Sequence, residues 1–531
     1  LRYSRPGCQI RSSKLEKSMK SPWATRTAAV AFVAFLLFLP HPAPAANAAD
    51  AARFRVSVYA NINTPPDSIP YTRLDALVLA FINPTEDCSG FANTSFPAVQ
   101  EIVRRARKHN TNGRRIIVTF AIGGGGATAT NALLESIASS ADCRTEFAAQ
   151  VAEILAKNDL DGVNIDWEFP KSSSLDNYTQ FIKALRGAIG SKILTIAIYD
   201  DAGKDDPSGR LTPNVIPFVD YYMVMAYLAP PNAAIDSWIK PPWNLPKSKL
   251  RLGLALFGIA DDGSTLAYKQ ILGTVPPAQV SPCGDRIGTY GINGLRTTGE
   301  LTRFAMTQKL SGITGWALDQ DRADSISLMR AASETSRMWN GFAEWQKGTT
   351  YSAGTIVQNR GNLWLVQSPK SAAQREPGLM NTAFKQIELT DQWSSDKYYC
   401  GGDEVWIGDA VYRAVSDPML SVIDLSPTVA TSLWKQLYAA SPYDDAATYS
   451  KGDRIFFSRA VYVANRDTTG QSPASGSTDW SPYVDADAFD ASKTYAAGVT
   501  VRYMGNQYVS TKSSVGSTPV VATDSWQPLK R

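Results

Sequence analysis

The sequence predicts an α/β fold class: a (β/α)8 TIM barrel followed by tandem small all-β modules. Three observations predict it. Between Phe54 and about Ser333, eight apolar, β-prone runs alternate with amphipathic stretches of helical period, as parallel strands joined by crossover helices require. One of those runs, 161–168, carries polar side chains at every second position of an otherwise apolar segment. Beyond the last run the composition changes and an aromatic frame recurs four times, the mark of a repeated structural unit.

Along the chain, residues 1–48 read as an N-terminal extension and signal peptide. Met19, Lys20 and Arg26 precede the apolar run 28–39, and small residues follow from Ala43 to Ala49. The run is too short to span a bilayer comfortably, and cleavage after Ala45 or Ala48 fits a secretory signal. A secreted, extracellular chain is expected, with no membrane association after cleavage. Residues 49–338 are assigned to the barrel. Its strands are expected at 55–59, 76–82, 115–122, 162–169, 194–199, 221–227, 251–257 and 312–318. Eight is the barrel number, and active residues of such barrels sit at the carboxyl ends of the strands, where Glu168, Tyr227 and Trp316 fall. Connections at 97–109, 143–157, 175–189 and 299–309 have helical spacing.

Composition narrows the chemistry. With 531 residues and 44% hydrophobic content the chain can bury a large core, and about three to four domains fit its length. A net charge of +4 with dispersed Lys and Arg leaves no nucleic-acid footprint. His41 and His109 are the only histidines, which argues against His-based metal sites and Ser-His-Asp catalysis. No metal or organic cofactor is implied, and a monomer is expected. Loss of the signal discards Cys8 and leaves Cys88, Cys143, Cys283 and Cys400, an even number that makes disulfides plausible in an exported chain without fixing their pairing.

The run 161–168 carries the chemistry. Asn164, Asp166 and Glu168 alternate with Val163, Ile165 and Trp167, so on a strand the polar three project together and the apolar three pack toward helices. Two adjacent carboxylates repel, which makes one proton harder to remove and suits a general acid. An acidic edge strand or a calcium ligand set are the plain alternatives. Ile165, Trp167 and Phe169 make the strand too apolar for an exposed edge, and the glycine spacing is not that of a helix-loop-helix calcium site.

Asp161, Gly162, Asp166 and Glu168 reproduce the Asp-Gly-x-x-x-Asp-x-Glu signature, and here the chain resembles the family 18 glycoside hydrolases, the chitinases and their relatives. The resemblance implies that Glu168 protonates the glycosidic oxygen while the substrate's acetamido group acts as nucleophile, the substrate-assisted exception to the two-carboxylate rule. Asp166 then orients and stabilises the acetamido group, Asn164 modulates it and Tyr227 hydrogen-bonds it. Trp316 forms a floor beneath the reacting sugar, on which a pyranose C–H face stacks. By the same resemblance Met225, Asp161, Tyr59, Phe81, Gly123 and Gly124 are assigned to substrate binding. The chain departs from the family at three places: Ala121 stands where the third-strand motif has Ser, Asn164 where Asp is usual, and Leu228 where Asp or Asn follows the tyrosine. Residues 258–312 are short of the insertion that deepens the cleft in processive relatives, which implies a shallower groove. Residues 258–290 read as a long irregular segment containing Cys283.

In the tail, Tyr351, Tyr399, Tyr449 and Tyr495 each precede by thirteen residues an aromatic, Trp364, Tyr412, Tyr462 or Tyr508. Pro377, Pro427, Pro473 or Pro519 follows, then Phe384, Trp434, Trp480 or Trp526 seven residues later. Gly354, Gly402, Gly452 and Gly498 mark turns. Modules are expected at 339–388, 389–438, 439–484 and 485–531. They resemble carbohydrate-binding modules of the family 5 and 12 type. That family's surface tryptophan is replaced by Arg375, Leu425, Gln471 and Ser517, so the framing aromatics read as structural. Whether the four units form separate beads or pack in pairs stays open. The expected function is hydrolysis of chitin or a related N-acetylglucosamine polysaccharide. The alternatives are an endoglycosidase acting on N-linked glycans and a catalytically weak polysaccharide-binding protein.

Overall fold

A computed structural model describes residue 53 onward, except for 89, 112–113, 201–210, 341, 354, 360–361, 368–375, 378–382, 388, 419–424, 474–476, 484–487, 491–492, 504–505, 518, 520–523 and 529–531. The export segment expected in residues 1–48, with Cys8 and His41, lies outside the described residues, as do Gly354 and Arg375.

Strands β1 (Arg55–Asn61), β2 (Ala76–Ala80), β3 (Ile117–Gly123), β4 (Gly162–Asp166), β5 (Ile193–Ile198), β6 (Tyr221–Val224) and β7 (Leu250–Ala255) belong to one parallel sheet. Four short strands follow: β8 (Phe257–Ala260), β9 (Thr265–Ala267), β10 (Arg286–Ile287) and β11 (Tyr290–Gly291). The eighth barrel strand is β12 (Gly312–Trp316), and the closed order is β1-β12-β7-β6-β5-β4-β3-β2. Parallel barrel strands are covered on both faces, so each is a nearly continuous apolar run. The alternation is visible in two separate cores. Val56, Val58, Leu77, Leu79, Val118, Phe120, Val163 and Ile165 point outward into the helix-facing core. Tyr59, Val78, Ala121 and Met223 form the core of the lumen, with Trp316 packed against them.

The helices are α1 (Pro97–Lys108), α2 (Thr128–Ser139), α3 (Ala141–Lys157), α4 (Leu175–Ile189), α5 (Pro231–Ile239), α6 (Tyr268–Ile271), α7 (Leu295–Thr307) and α8 (Leu328–Asn340). In α1, Pro97 occupies the first turn, where its missing N–H is not needed. Its buried side chains Val99, Ile102, Val103 and Ala106 recur at helical spacing. Helix α7 starts at Leu295, four residues before the expected 299, because Leu295 and Thr298 are themselves buried against the barrel and Gly299 lies inside the helix. Cys88 in the loop after β2 is disulfide-bonded to Cys143 at the start of α3, and Cys283 to Cys400. Residues 258–290 are not the irregular segment expected. Strands β8 to β11 pair there into a small antiparallel sheet in the order β10-β11-β8-β9, a structure its short two- and three-residue runs hide from a period-2 reading.

The tail consists of β-sheets with a recurring local plan. Each framing tyrosine accepts, at its hydroxyl, the backbone N–H of the residue five positions earlier: Gln346 (2.6 Å), Ser394 (2.8 Å), Asp444 (2.7 Å) and Asp490 (2.6 Å). Trp434, Trp480 and Trp526 each donate the indole N–H to the carbonyl nine positions earlier, at Leu425, Gln471 and Ser517. Positions that would carry a surface tryptophan therefore contribute a backbone acceptor. A further aromatic escapes the sequence reading: Trp345, Trp393, Tyr443 and Phe489 stand six residues before each tyrosine, with Tyr443 stacked on Tyr449 and Phe489 on Tyr495.

The units pack in pairs. Tyr351, Trp364 and Phe384 share one core with Phe489, Tyr495, Tyr503 and Trp526, joining the first unit to the fourth. Trp406 of the second stacks on Phe456 of the third, ring centroids 4.3 Å apart. Leu363, Leu365, Ile387, Tyr398 and Cys400 extend the barrel's own helix-facing core into the first and second units.

Candidate active site

Strand β4 places two of the expected side chains in the lumen. Asn164 and Asp166 are buried, whereas Trp167 turns outward and meets Tyr178 and Phe181 edge-on at 5.6 and 5.9 Å. The Asn164 carboxamide is held on both sides. Its Oδ1 accepts from the Tyr59 hydroxyl at 2.9 Å and its Nδ2 donates to Thr195 Oγ1 at 2.8 Å. The Tyr59 hydroxyl also meets the Met223 sulfur at 3.0 Å.

Asp166 and Glu168 are hydrogen-bonded to each other. Burial, and then the charge of Glu168, push the Asp166 carboxyl well above the usual carboxylate range. Burial also raises Glu168, while its bond to Asp166 pulls the other way. The pair therefore favours holding a proton where isolated carboxyls would have lost it. Asp166 Oδ1 is buried without a hydrogen-bond partner. The neighbouring strand offers none at the adjacent lumen position, since Ala121, in register with Asn164, ends in a methyl group. Tyr227 and Tyr59 are both raised well above the ordinary phenol range, chiefly by burial and then by Asp166. Both remain neutral donors across the physiological range.

Backbone shape makes room for this cluster. A Cβ on Gly123 would lie 2.0 Å from the Asp166 carbonyl, and one on Gly124 would lie 2.8 Å from the Phe81 ring. Both glycines also have φ above +100°, a region open to glycine. Gly123 lets β3 approach β4, and Gly124 makes room for the Phe81 ring. Gly125, next in line, leaves space for Glu168, whose Oε1 would be 3.3 Å from a Cβ there. Asn131 Nδ2 fixes the Glu168 carbonyl at 2.6 Å. Trp316 meets Tyr59 edge-on at 5.0 Å and Phe81 at 5.7 Å.

Asp161 is not part of the cluster, in contrast to its assignment to substrate binding. It precedes β4, at the amino end of the barrel, where it is ion-paired to Arg107 (3.0 Å) and Arg115 and accepts the Val118 N–H at 2.8 Å. The period of two explains why: Asp161 is five residues from Asp166 and shares the outward parity of Val163 and Ile165. Met225 is half-buried just past the end of β6, and its lumen-facing predecessor Met223 makes the contact with Tyr59 and Asn164. Met223, Thr195, Asn131 and Gly125 escaped the sequence reading. The alternation of Tyr221, Met223 and Met225 on one face was the available signal for Met223. Leu228, after Tyr227, has φ +59°, a left-handed conformation that a leucine side chain disfavours.

Such an arrangement suits proton donation from Glu168 to a bond laid across the mouth of the barrel, with Asp166 sharing the proton behind it. Among the described residues, the one trio of His, Cys, Asp and Glu side chains close enough for a metal is Cys283, Cys400 and Asp417, and its two sulfurs are bonded to each other.

Comparison with known proteins agrees in kind. Residues 55–321 match the profile of the Glycosyl hydrolases family 18. A class V chitinase of Medicago truncatula is 26% identical over 274 residues, 39% of this chain and 70% of that protein. A secreted chitinase of Penicillium expansum is 32% identical over 151 residues, 24% of this chain but a tenth (10%) of that protein. Among solved structures, a Cycas revoluta chitinase in complex with (GlcNAc)3 is 18% identical with a TM-score of 0.47, over 52% of this chain and 98% of its own.

Proposed function

The chain belongs to the glycosyl hydrolases of family 18 and is a glycoside hydrolase, and on that premise we propose that it cleaves β-1,4-linked N-acetylglucosamine polymers with retention of anomeric configuration. One observation carries the reading: a hydrogen-bonded carboxyl pair, Asp166 and Glu168, with both members raised by burial at the carboxyl end of β4. Glu168 donates its proton to the glycosidic oxygen and later accepts one from water. Asp166 and the neutral Tyr227 hydroxyl grip the substrate acetamido group as it attacks the anomeric carbon. Trp316 supplies the apolar floor. Met225, Tyr59 and Phe81 shape the pocket around that floor, and Asn164, clamped between Tyr59 and Thr195, sets the field behind Asp166. The enzyme acts outside the cell, and among the described residues no helix is long and apolar enough to cross a membrane. The tail attaches the enzyme to chitin through faces other than its buried framing aromatics.

A weakly catalytic polysaccharide binder is the competing reading. The unpartnered Asp166 Oδ1, with no hydroxyl at Ala121 on the neighbouring strand, favours it. Release of soluble sugar from colloidal chitin by the wild type and by Glu168→Gln separates the two. Turnover lost in the variant, with the retained anomer in the wild-type product, supports the enzyme. Binding to chitin without turnover by either protein overturns it.

A further inference from the structure

The alternation of β5 continues beyond its last residue. Thr195 faces the lumen, where it holds Asn164, and Ala197 and Tyr199 follow at the same parity. Tyr199 is thus directed to the mouth of the barrel, on the strand next to the one that carries Asp166. Tyr199 is 47% exposed, and it is the one exposed aromatic among the large hydrophobic side chains of the described residues. It stands edge-on to Phe169, the residue after Glu168, with ring centroids 5.7 Å apart and planes at 85°. Its backbone is pinned, since the buried Trp238 indole donates to the Tyr199 carbonyl at 2.8 Å. The backbone is therefore fixed, and the side chain is open to solvent beside Phe169, the residue after Glu168.

We infer that Tyr199 is the platform of a sugar subsite on the leaving-group side of the cleft. The inference rests on the chitinase reading given above. An aromatic face open beside a carbohydrate-cleaving centre stacks on the C–H face of a pyranose, and the ordered backbone reduces the entropy lost on binding. Trp316, on β12, lies across the barrel from β4, whereas Tyr199 follows β5, the strand next to β4, and so stands on the Glu168 side of the mouth. A chain that rests its reacting sugar on Trp316 then carries its departing portion toward Tyr199. Phe169 supports the platform from the edge.

The test compares wild type, Tyr199→Ala and Tyr199→Phe on two substrates: N-acetyl-chitohexaose, long enough to reach the platform, and a chromogenic chitobioside, which places only its dye there. Tyr199→Ala is expected to lower kcat/KM for the hexasaccharide about tenfold and to leave the chitobioside within about twofold, and Tyr199→Phe, which keeps the ring, to match wild type on both. Equal rates on the hexasaccharide overturn the inference, as does an equal loss on both substrates, which marks general damage to the site. If wild type turns over neither substrate, the chitinase reading fails by itself. Calorimetric titration with the hexasaccharide then decides the subsite: about tenfold weaker binding by Tyr199→Ala supports it, and unchanged binding overturns it.

Discussion

Asp161 and Asp166 flank one strand, five residues apart, and their surroundings are opposite. Asp161, at the amino end, meets two guanidinium groups and a backbone N–H. Asp166, at the carboxyl end, meets another carboxyl, and one of its oxygens has no partner at all. Each is almost fully buried. The first arrangement satisfies a buried charge and holds the bottom of the barrel together. The second leaves one poorly satisfied, which is tolerable only where the proton is needed for chemistry. On the proposed function, stability and activity thus fall to opposite ends of the same β-strand, as barrel enzymes generally divide them.

The largest effect expected is at the active end. Glu168→Gln should lower turnover on chitin oligosaccharides about a thousandfold while leaving the melting temperature within about two degrees of wild type. A variant that melts much earlier would mean that Glu168 also supports the fold, and the contrast would blur.

Next comes the paired exchange to asparagine at the two aspartates. Asp166→Asn should reduce kcat about a hundredfold and raise stability at neutral pH. Asp161→Asn should lower stability by about 2 kcal/mol and keep kcat per folded molecule. Urea unfolding at pH 7 together with kinetics on each variant checks both. If the two shift stability in the same direction, the division between the two ends is wrong.

A pH series sharpens the same point. Because folding raises the Asp166 carboxyl, the folded state holds more protons than the unfolded one above the normal aspartate range. Stability from this group is therefore present at low pH and lost as pH rises through the folded value. The excess stability of Asp166→Asn over wild type should be near zero at about pH 3, below the unfolded value, and grow toward neutrality. A constant difference across the series would place the effect in packing instead of ionisation.

The smallest effect concerns Leu228. Asparagine tolerates the left-handed conformation found there, so Leu228→Asn should stabilise by roughly 0.5–1 kcal/mol and raise kcat/KM a few-fold by adding a polar group next to Tyr227. Thermal melts and steady-state rates on the hexasaccharide would register it.

Much of the barrel was legible because parallel strands buried on both faces leave long apolar runs, and each of the eight was located within a few residues. Asn164 and Asp166 were legible as a cluster for the same reason that Asp161 was separable from them: parity along a strand is a rule of two. Assigning Asp161 to the substrate followed a sequence signature across that parity. Register is less readable. Met223 and Met225 share a face, and only the height at which β6 sits beside β5 decides which one touches Asn164. Gly123 and Gly124 are required by the close approach of Asp166 and Phe81, a demand that no local sequence pattern records. In the tail, the position that is Trp, Trp, Tyr and Phe in successive units was hidden by its variety. Pairing of the units rests on contacts about fifty residues apart between the second and third and more than a hundred apart between the first and fourth, which no local pattern records.

That pairing has a consequence for how the tail could change over generations. First binds fourth and second binds third, like nested brackets, while Tyr508 and Tyr503 of the fourth unit also reach Glu300 and Arg303 of α7. A string of beads can gain or shed one bead with little disturbance to its neighbours. Nested brackets cannot: deleting the third or the fourth unit orphans the second or the first, whose cores are continuous with the barrel. Insertions and losses should therefore be accepted in matched twos, and the number of units becomes a property of the enzyme itself and not of an accessory attached to it.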